Sequence, residues 1–272
     1  MTDLALANQN KSIGIFDSGI GGLTVANAIQ KALPDEHLIY FGDTAHLPYG
    51  DKSADAIRFY SLKISKFLLE QNCKMIVIAC NSASSAAYHT LLDFFEGKAL
   101  FVNVVDPLVD AVISKQHNNI GVIATKATIR SNIYRDKIKH QLQKSTVTSM
   151  ATPLLAPMIE EGFYKGEISH SVIDTYLGRA EFENIDSLLL ACTHYPLIKT
   201  EIENYFNQKV DILDSTDVVA NAVKGSLENQ NLLASNRTKQ NEFYVSDYTE
   251  SFEDTARIFY GEEIKLETAN IW

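Results

Sequence analysis

The sequence predicts an α/β protein built from two similar α/β domains, with mostly parallel sheets and a ligand site in the cleft between them. Three observations predict it. Short β-branched runs alternate with helical patterns along nearly the whole 272-residue chain, which is the signature of strands joined by crossover helices. Runs such as Ile76-Val77-Ile78 are apolar on every residue, as suits a strand covered by helices on both faces of its sheet. The chain also echoes itself. Ile13-Gly14-Ile15 recurs as Ile120-Gly121-Val122, and Ile78-Ala79-Cys80-Asn81 recurs as Leu190-Ala191-Cys192-Thr193.

Taken in order, strands are predicted over residues 12–16, 38–41, 75–79, 99–105, 122–124, 188–191, 210–213 and 243–245. Between them, residues 23–33 read as a helix that stops at Pro34, because proline lacks the amide proton a continuing helix needs. Residues 53–70 read as a longer one, since Ile57, Tyr60, Ile64, Phe67 and Leu68 fall on one face at 3.6-residue spacing. The echo places a cysteine in each half where a strand gives way to a helix. Ligands of open parallel sheets bind at the carboxyl ends of strands, so two facing halves would bring both cysteines to one cleft.

Composition narrows the function. The formal charge is −10, which disfavours nucleic acid and anionic membrane as partners because both need basic patches. The longest apolar run is the six residues from Met75 to Cys80, far short of the roughly 20 a membrane helix needs. The opening MTDLALANQNKS lacks the charged-then-apolar pattern of a leader. Three widely spaced cysteines, Cys73, Cys80 and Cys192, do not form a disulfide framework and fit a reducing cytoplasm. Cys73 lies at no strand–helix junction and reads as structural.

Three constellations can carry chemistry. Phe16-Asp17-Ser18-Gly19-Ile20-Gly21-Gly22 follows a strand and opens a helix, whose free N–H groups suit an anion. It departs from the dinucleotide fingerprint, and Asp17 or Ser18 could equally cap the helix. Cys80 ends a strand and is followed by Asn81 and Ser82, where a helix start lowers a thiol's pKa and the two polar residues can donate to a carboxylate. In Cys192-Thr193-His194 the cysteine and histidine share a face if the strand persists that far. Metal ligation, acyl transfer by a Cys–His pair and thiol acid–base chemistry all fit this last motif. Zinc lacks the two further ligands it needs, and a redox disulfide lacks a resolving partner nearby. Two matched strand-end thiols favour the acid–base reading, because a racemase needs two mono-protic groups opposed across a planar carbanion and a hydrolase needs one nucleophile.

Together these motifs resemble the glutamate racemase family, which is cofactor-independent and built from two α/β domains. The matching stretches are GIFDSGIGG (14–22), YFGDTAHLPYG (40–50), IACNSAS (78–84), GVIATKATIRSNIY (121–134), PMIEEG (157–162) and LACTHYPLI (190–198), in order over most of the chain. The resemblance implies that Cys80 and Cys192 are the two bases, assisted by Asp17, Glu160 and His194. It implies substrate contacts from Asp17, Ser18, Tyr49, Gly50, Asn81, Ser82, Thr193 and His194, no cofactor and no metal. It further implies glutamate as substrate, supply of D-glutamate to peptidoglycan, and a homodimer. Aspartate racemases of the same fold and a silent amino-acid-binding module are the alternatives. Two departures are Ser82 where the family usually has Thr, and His46 where it usually has Arg; His46 otherwise reads as a surface or loop histidine. Lys126 reads as a solvated surface residue. The domains are expected to be 1–105 plus 213–272, and 106–212.

Overall fold

The computed structural model describes residues 8–237 and 239–272; the first seven residues of the opening MTDLALANQNKS lie outside the described residues. The strands are β1 (Ser12–Asp17), β2 (Leu38–Gly42), β3 (Cys73–Ile78), β4 (Leu100–Asn103), β5 (Asn119–Ala124), β6 (Thr146–Ala151), β7 (Ser187–Ala191), β8 (Asp211–Asp214), β9 (Glu242–Val245) and β10 (Leu266–Thr268). They form two sheets, ordered β10-β9-β2-β1-β3-β4 and β6-β5-β7-β8, and every paired strand runs parallel. The sequence echo is visible in this order. Strands one to four of each half lie as 2-1-3-4, with the Ile-Gly strand second and the strand leading to a cysteine third.

The helices are α1 (Leu23–Ala32), α2 (Ala54–Glu70), α3 (Asn81–Phe94), α4 (Val105–Ser114), α5 (Lys126–Arg130), α6 (Ile133–Gln141), α7 (Leu155–Glu160), α8 (Glu167–Leu177), α9 (Lys199–Tyr205), α10 (Thr216–Asn229) and α11 (Glu250–Tyr260). Alternate residues of each central strand enter different apolar layers. Ile13, Ile15, Met75 and Val77 pack with Leu23, Val25 and Ile29 of α1 and with Val219, Val223 and Leu227 of α10. Phe16, Ile76 and Ile78 pack with Ile57, Ile64 and Leu68 of α2 and Ala83, Ala87 and Leu91 of α3. In the second sheet Ile120, Val122 and Leu189 meet α4 and α6, whereas Ile123, Leu188 and Leu190 meet the layer containing Leu155, Ile173 and Tyr195. Burying each such aliphatic side chain contributes about 1.5–3 kcal/mol, so strands this apolar are stable only when sandwiched.

Local chemistry sets the element ends, and several differ from expectation. The helix predicted over 53–70 begins at Ala54, because Ser53 is its cap and accepts from the Ala56 N–H at 3.2 Å. The strand predicted over 99–105 stops at Asn103, whose Oδ1 accepts from the Val105 and Asp106 N–H groups at 2.8 and 2.9 Å and starts α4. The strand predicted over 75–79 begins two residues earlier, at Cys73, and ends at Ile78. β6 and β10 were not anticipated; both lie at sheet edges, and Thr-Val-Thr-Ser alternates polar residues with a single apolar one. Among the described residues no helix is long and apolar enough to cross a membrane.

Candidate active site

Each site segment lies where a parallel strand runs out. β1 leads to Ser18 and Gly19, β2 to the 43–50 segment, β3 to Cys80, β5 to Thr125 and β7 to Cys192. Residues from both sheets enclose a cavity of about 230 Å³: Ser18, Gly19, Leu47, Pro48, Tyr49, Gly50, Cys80, Asn81 and Ser82 from one side, and Thr125, Ala156, Pro157, Glu160, Cys192, Thr193 and His194 from the other. This is smaller than the roughly 300–1,000 Å³ typical of drug-sized ligands and suits an amino acid. A wider groove of about 710 Å³ lies alongside, lined by Lys52, Arg58, Ser85 and Arg130 among others, but it contains no thiol.

The lining holds no lysine or arginine. Its attraction for an anion must come from hydroxyls, amides and helix starts, where backbone N–H groups are free. Cys80 caps α3, accepting from the Ala83 N–H at 3.4 Å, and Thr125 caps α5. Ser82 and Thr125 bridge the two sides through their hydroxyls at 2.8 Å.

The Cys80 thiol is buried and donates to Ser18 Oγ at 3.7 Å. The helix start was expected to lower its pKa. Instead burial, reinforced by the Asp17 carboxylate, pushes the thiol up to about 12 against the opposing Ala83 N–H and Ser18 hydroxyl. Desolvation of the thiolate outweighs two weak donors. Asp17 is fully buried, and its Oδ2 accepts from the Gly19 and Gly22 N–H groups at 3.2 and 3.1 Å. Burial raises its own pKa, opposed first by His194. It is the one predicted site residue that does not line the cavity; it holds the loop that does.

The Cys192 side is built differently. β7 ends at Ala191, so the expected shared strand face does not form; a turn brings His194 Nδ1 to 3.7 Å from Cys192 Sγ. His194 Nε2 lies 2.8 Å from Glu160 Oε1 of α7. Burial disfavours the imidazolium, but the Cys192 sulfur and the Glu160 carboxylate win and hold His194 up to about 10. The histidine therefore carries a proton near neutral pH. Gly21 makes the packing possible, since a Cβ there would sit 2.4 Å from His194 Cε1.

A family model described as Asp/Glu/Hydantoin racemase matches residues 21–223, and glutamate racemase of Chlorobaculum parvum is 40% identical over 257 residues, covering 93% of each chain. The chain belongs to the Asp/Glu/Hydantoin racemase family. Among solved structures, glutamate racemase from Francisella tularensis in complex with D-glutamate superposes with a TM-score of 0.91 at 36% identity, covering 97% of this chain and 98% of that one. Picrophilus torridus aspartate racemase shares the fold, with a TM-score of 0.56 at 21% identity over 80% of this chain and 94% of that one.

Within this racemase fold, ten of the eleven predicted site residues line one cavity. Thr125, Leu47, Pro48 and Ala156 join them without having been singled out. Thr125 carried a faint signal, as a helix-capping threonine directly after the second Ile-Gly strand. His46 lies on the loop after β2 with its side chain 27% exposed, as a surface or loop histidine should, but it is tied down there. Its Nδ1 lies 2.9 Å from Asp43 Oδ1, and its ring stacks on Tyr60 and meets the edge of Trp272 at centroid distances of 4.3 and 4.4 Å. Asp43 in turn accepts from the Tyr49 hydroxyl at 2.6 Å, so His46 buttresses the wall that Tyr49 forms. Lys126 is half-exposed as expected, and it pairs with Asp51 at 3.1 Å. Cys73 is buried between β1 and α2, facing Gly14, and burial pushes it up to about 12.

Proposed function

We propose that this protein interconverts L- and D-glutamate by two-base proton transfer at Cα, with Cys80 serving one face of the substrate and Cys192 the other. The carrying observation is the placement of two thiols, each after the third strand of its own half, on the wall of one amino-acid-sized cavity. The name and bound ligand of the Francisella protein support glutamate as the substrate.

In one direction the Cys192 thiolate takes the α-proton, the Cα–H electron pair moves into the carboxylate, and the Cys80 thiol returns a proton to the opposite face. In the other direction the roles exchange. The α-proton is far less acidic than a thiol, so the carbanion must be stabilised as an enediolate. Ser18, Asn81, Ser82, Thr193 and nearby backbone N–H groups are the donors assigned to that task, with Tyr49 and Gly50 completing the substrate wall. His194, held protonated by Glu160, balances charge on Cys192. Asp17 acts on Cys80 through the loop it holds and through its charge. These donors make pyridoxal phosphate unnecessary to the scheme.

The proposed domain division is 1–105 plus 213–272, and 106–212; its second boundary falls inside β8, the edge strand of the second sheet. A cytoplasmic homodimer supplying D-glutamate to peptidoglycan completes the reading. Incubating the protein with each enantiomer of glutamate, and of aspartate in parallel, tests it by circular dichroism. Conversion of both glutamate enantiomers to a racemate is the expected result. Conversion of aspartate alone would transfer the reading to aspartate, and inversion of neither would refute it.

A further inference from the structure

Asn81 opens α3 on the wall of the cavity and is 2% exposed. Its Oδ1 accepts a hydrogen bond of 2.6 Å from the hydroxyl of Tyr134. Its Nδ2 is buried and has no partner among the described residues. A buried carboxamide with one end satisfied and the other empty is costly, about 1–3 kcal/mol for the unmet group, unless a ligand fills it.

Tyr134 reaches Asn81 from the other half of the molecule. It sits in the first turn of α6, which flanks the second sheet, and the left-handed Asn132 at φ 56° turns the chain into that helix. Its ring is 3% exposed and packs with Leu108, Val112 and Ile138, so the hydroxyl cannot wander. Burial raises its pKa, keeping the phenol a donor at all working pH values. A phenol can donate or accept, and here it donates to the amide oxygen. The Asn81 carboxamide is thereby held oxygen toward Tyr134 and NH₂ away from it.

We propose that Tyr134 is a positioning residue that locks the Asn81 carboxamide with its NH₂ presented to the substrate carboxylate, across the junction between the two halves. The assignment rests on the reading of Asn81 as a substrate donor. Without the lock, the amide is free to rotate and turn its oxygen on an anionic substrate. Because the bond joins the two sides, the donor is oriented only when they are closed on each other.

A double-mutant cycle of Tyr134→Phe and Asn81→Ala, read as kcat/KM for both enantiomers, tests this. Tyr134→Phe keeps the ring and its packing, and is expected to lose roughly tenfold in kcat/KM when Asn81 is present, the worth of one buried hydrogen bond. In the Asn81→Ala background the same change should cost less than about twofold. Equal losses in both backgrounds would reveal a merely structural role and overturn the proposal, as would an unaffected Tyr134→Phe enzyme. An Asn81→Ala enzyme with unchanged kcat/KM would instead overturn the donor role on which the proposal rests. Asn81→Asp gives an independent check that leaves Tyr134 untouched. It keeps an oxygen for Tyr134 and sets a second oxygen against the substrate, so a loss on the order of a hundredfold or more is expected. A loss below about threefold would mean that oxygen already faces the cavity, and would overturn the assigned orientation.

Discussion

Cys80 and Cys192 each follow the third strand of a 2-1-3-4 pattern, but the company they keep differs. Cys80 faces the Ser18 hydroxyl and the Ala83 N–H, with the Asp17 carboxylate behind the loop. Cys192 faces a histidine that is itself braced by Glu160. Burial and a nearby carboxylate keep Cys80 as a thiol, whereas the protonated His194 can balance charge on Cys192. A repeated backbone thus supplies two mirrored positions, and unlike side chains give the two positions opposite electrostatic duties. On the proposed function, one of the two thiols accepts a proton and the other delivers one.

The largest effect that could break this comparison is loss of either thiol. Cys80→Ser and Cys192→Ser should each lower racemisation by about 10³-fold or more, at the upper end of what one acid–base group contributes. An enzyme surviving either change in an enantiomer assay would show that the halves do not share the work. Next comes the histidine. His194→Asn should cost about 10²-fold in kcat, and the loss should be matched by Glu160→Gln to within an order of magnitude, because the two act as a unit.

The same pair sharpens the comparison through pH. His194 is raised from 6.5 to about 10 in the folded protein, so its contribution to stability is complete below about 6.5 and is lost as pH rises through about 10. The melting-temperature advantage of wild type over His194→Asn should therefore be largest at pH 6 and shrink steadily toward pH 10. Cys80, raised from 9.0 to about 12, titrates in both proteins and cancels in the difference. A gap that widens with pH would contradict the protonated histidine.

Smaller effects test the contacts between the halves. Gly21→Ala must displace His194 or Thr193 Oγ1, which a Cβ would approach to 2.4 and 2.6 Å. It should destabilise by about 1–3 kcal/mol in urea titrations, as overpacking does, and lower activity with the Cys192 side disturbed. His46→Ala removes a ring from the Asp43–Tyr49 buttress. It should raise KM by no more than about fivefold, the worth of roughly one hydrogen bond, with kcat little changed.

The sequence made the central strands legible because the middle residues of β1, β3, β5 and β7 are an unbroken apolar run, which only a doubly covered strand tolerates. It hid β6 and β10, since edge strands carry polar residues that read as loop. The thiols stood out because both follow such strands directly. Asn81 and Ser82 were visible as polar residues at a helix start. Thr125 and Tyr134 were not, because a capping threonine and a buried tyrosine are ordinary until a distant partner gives them a task. The direction of the Cys80 shift was also beyond reach: a helix start can be read from spacing, but the desolvation that overrides it belongs to the closed cavity.

The most direct test of one thiol for each face is the fate of solvent hydrogen in D₂O. L-glutamate is converted to low extent, and proton NMR of the separated enantiomers reads Cα. Two opposed thiols predict that the D-glutamate formed carries deuterium from the first turnovers, while the remaining L-glutamate keeps its protium. Protium retained in the early D-glutamate would mean that a single group serves both faces, and would contradict the account.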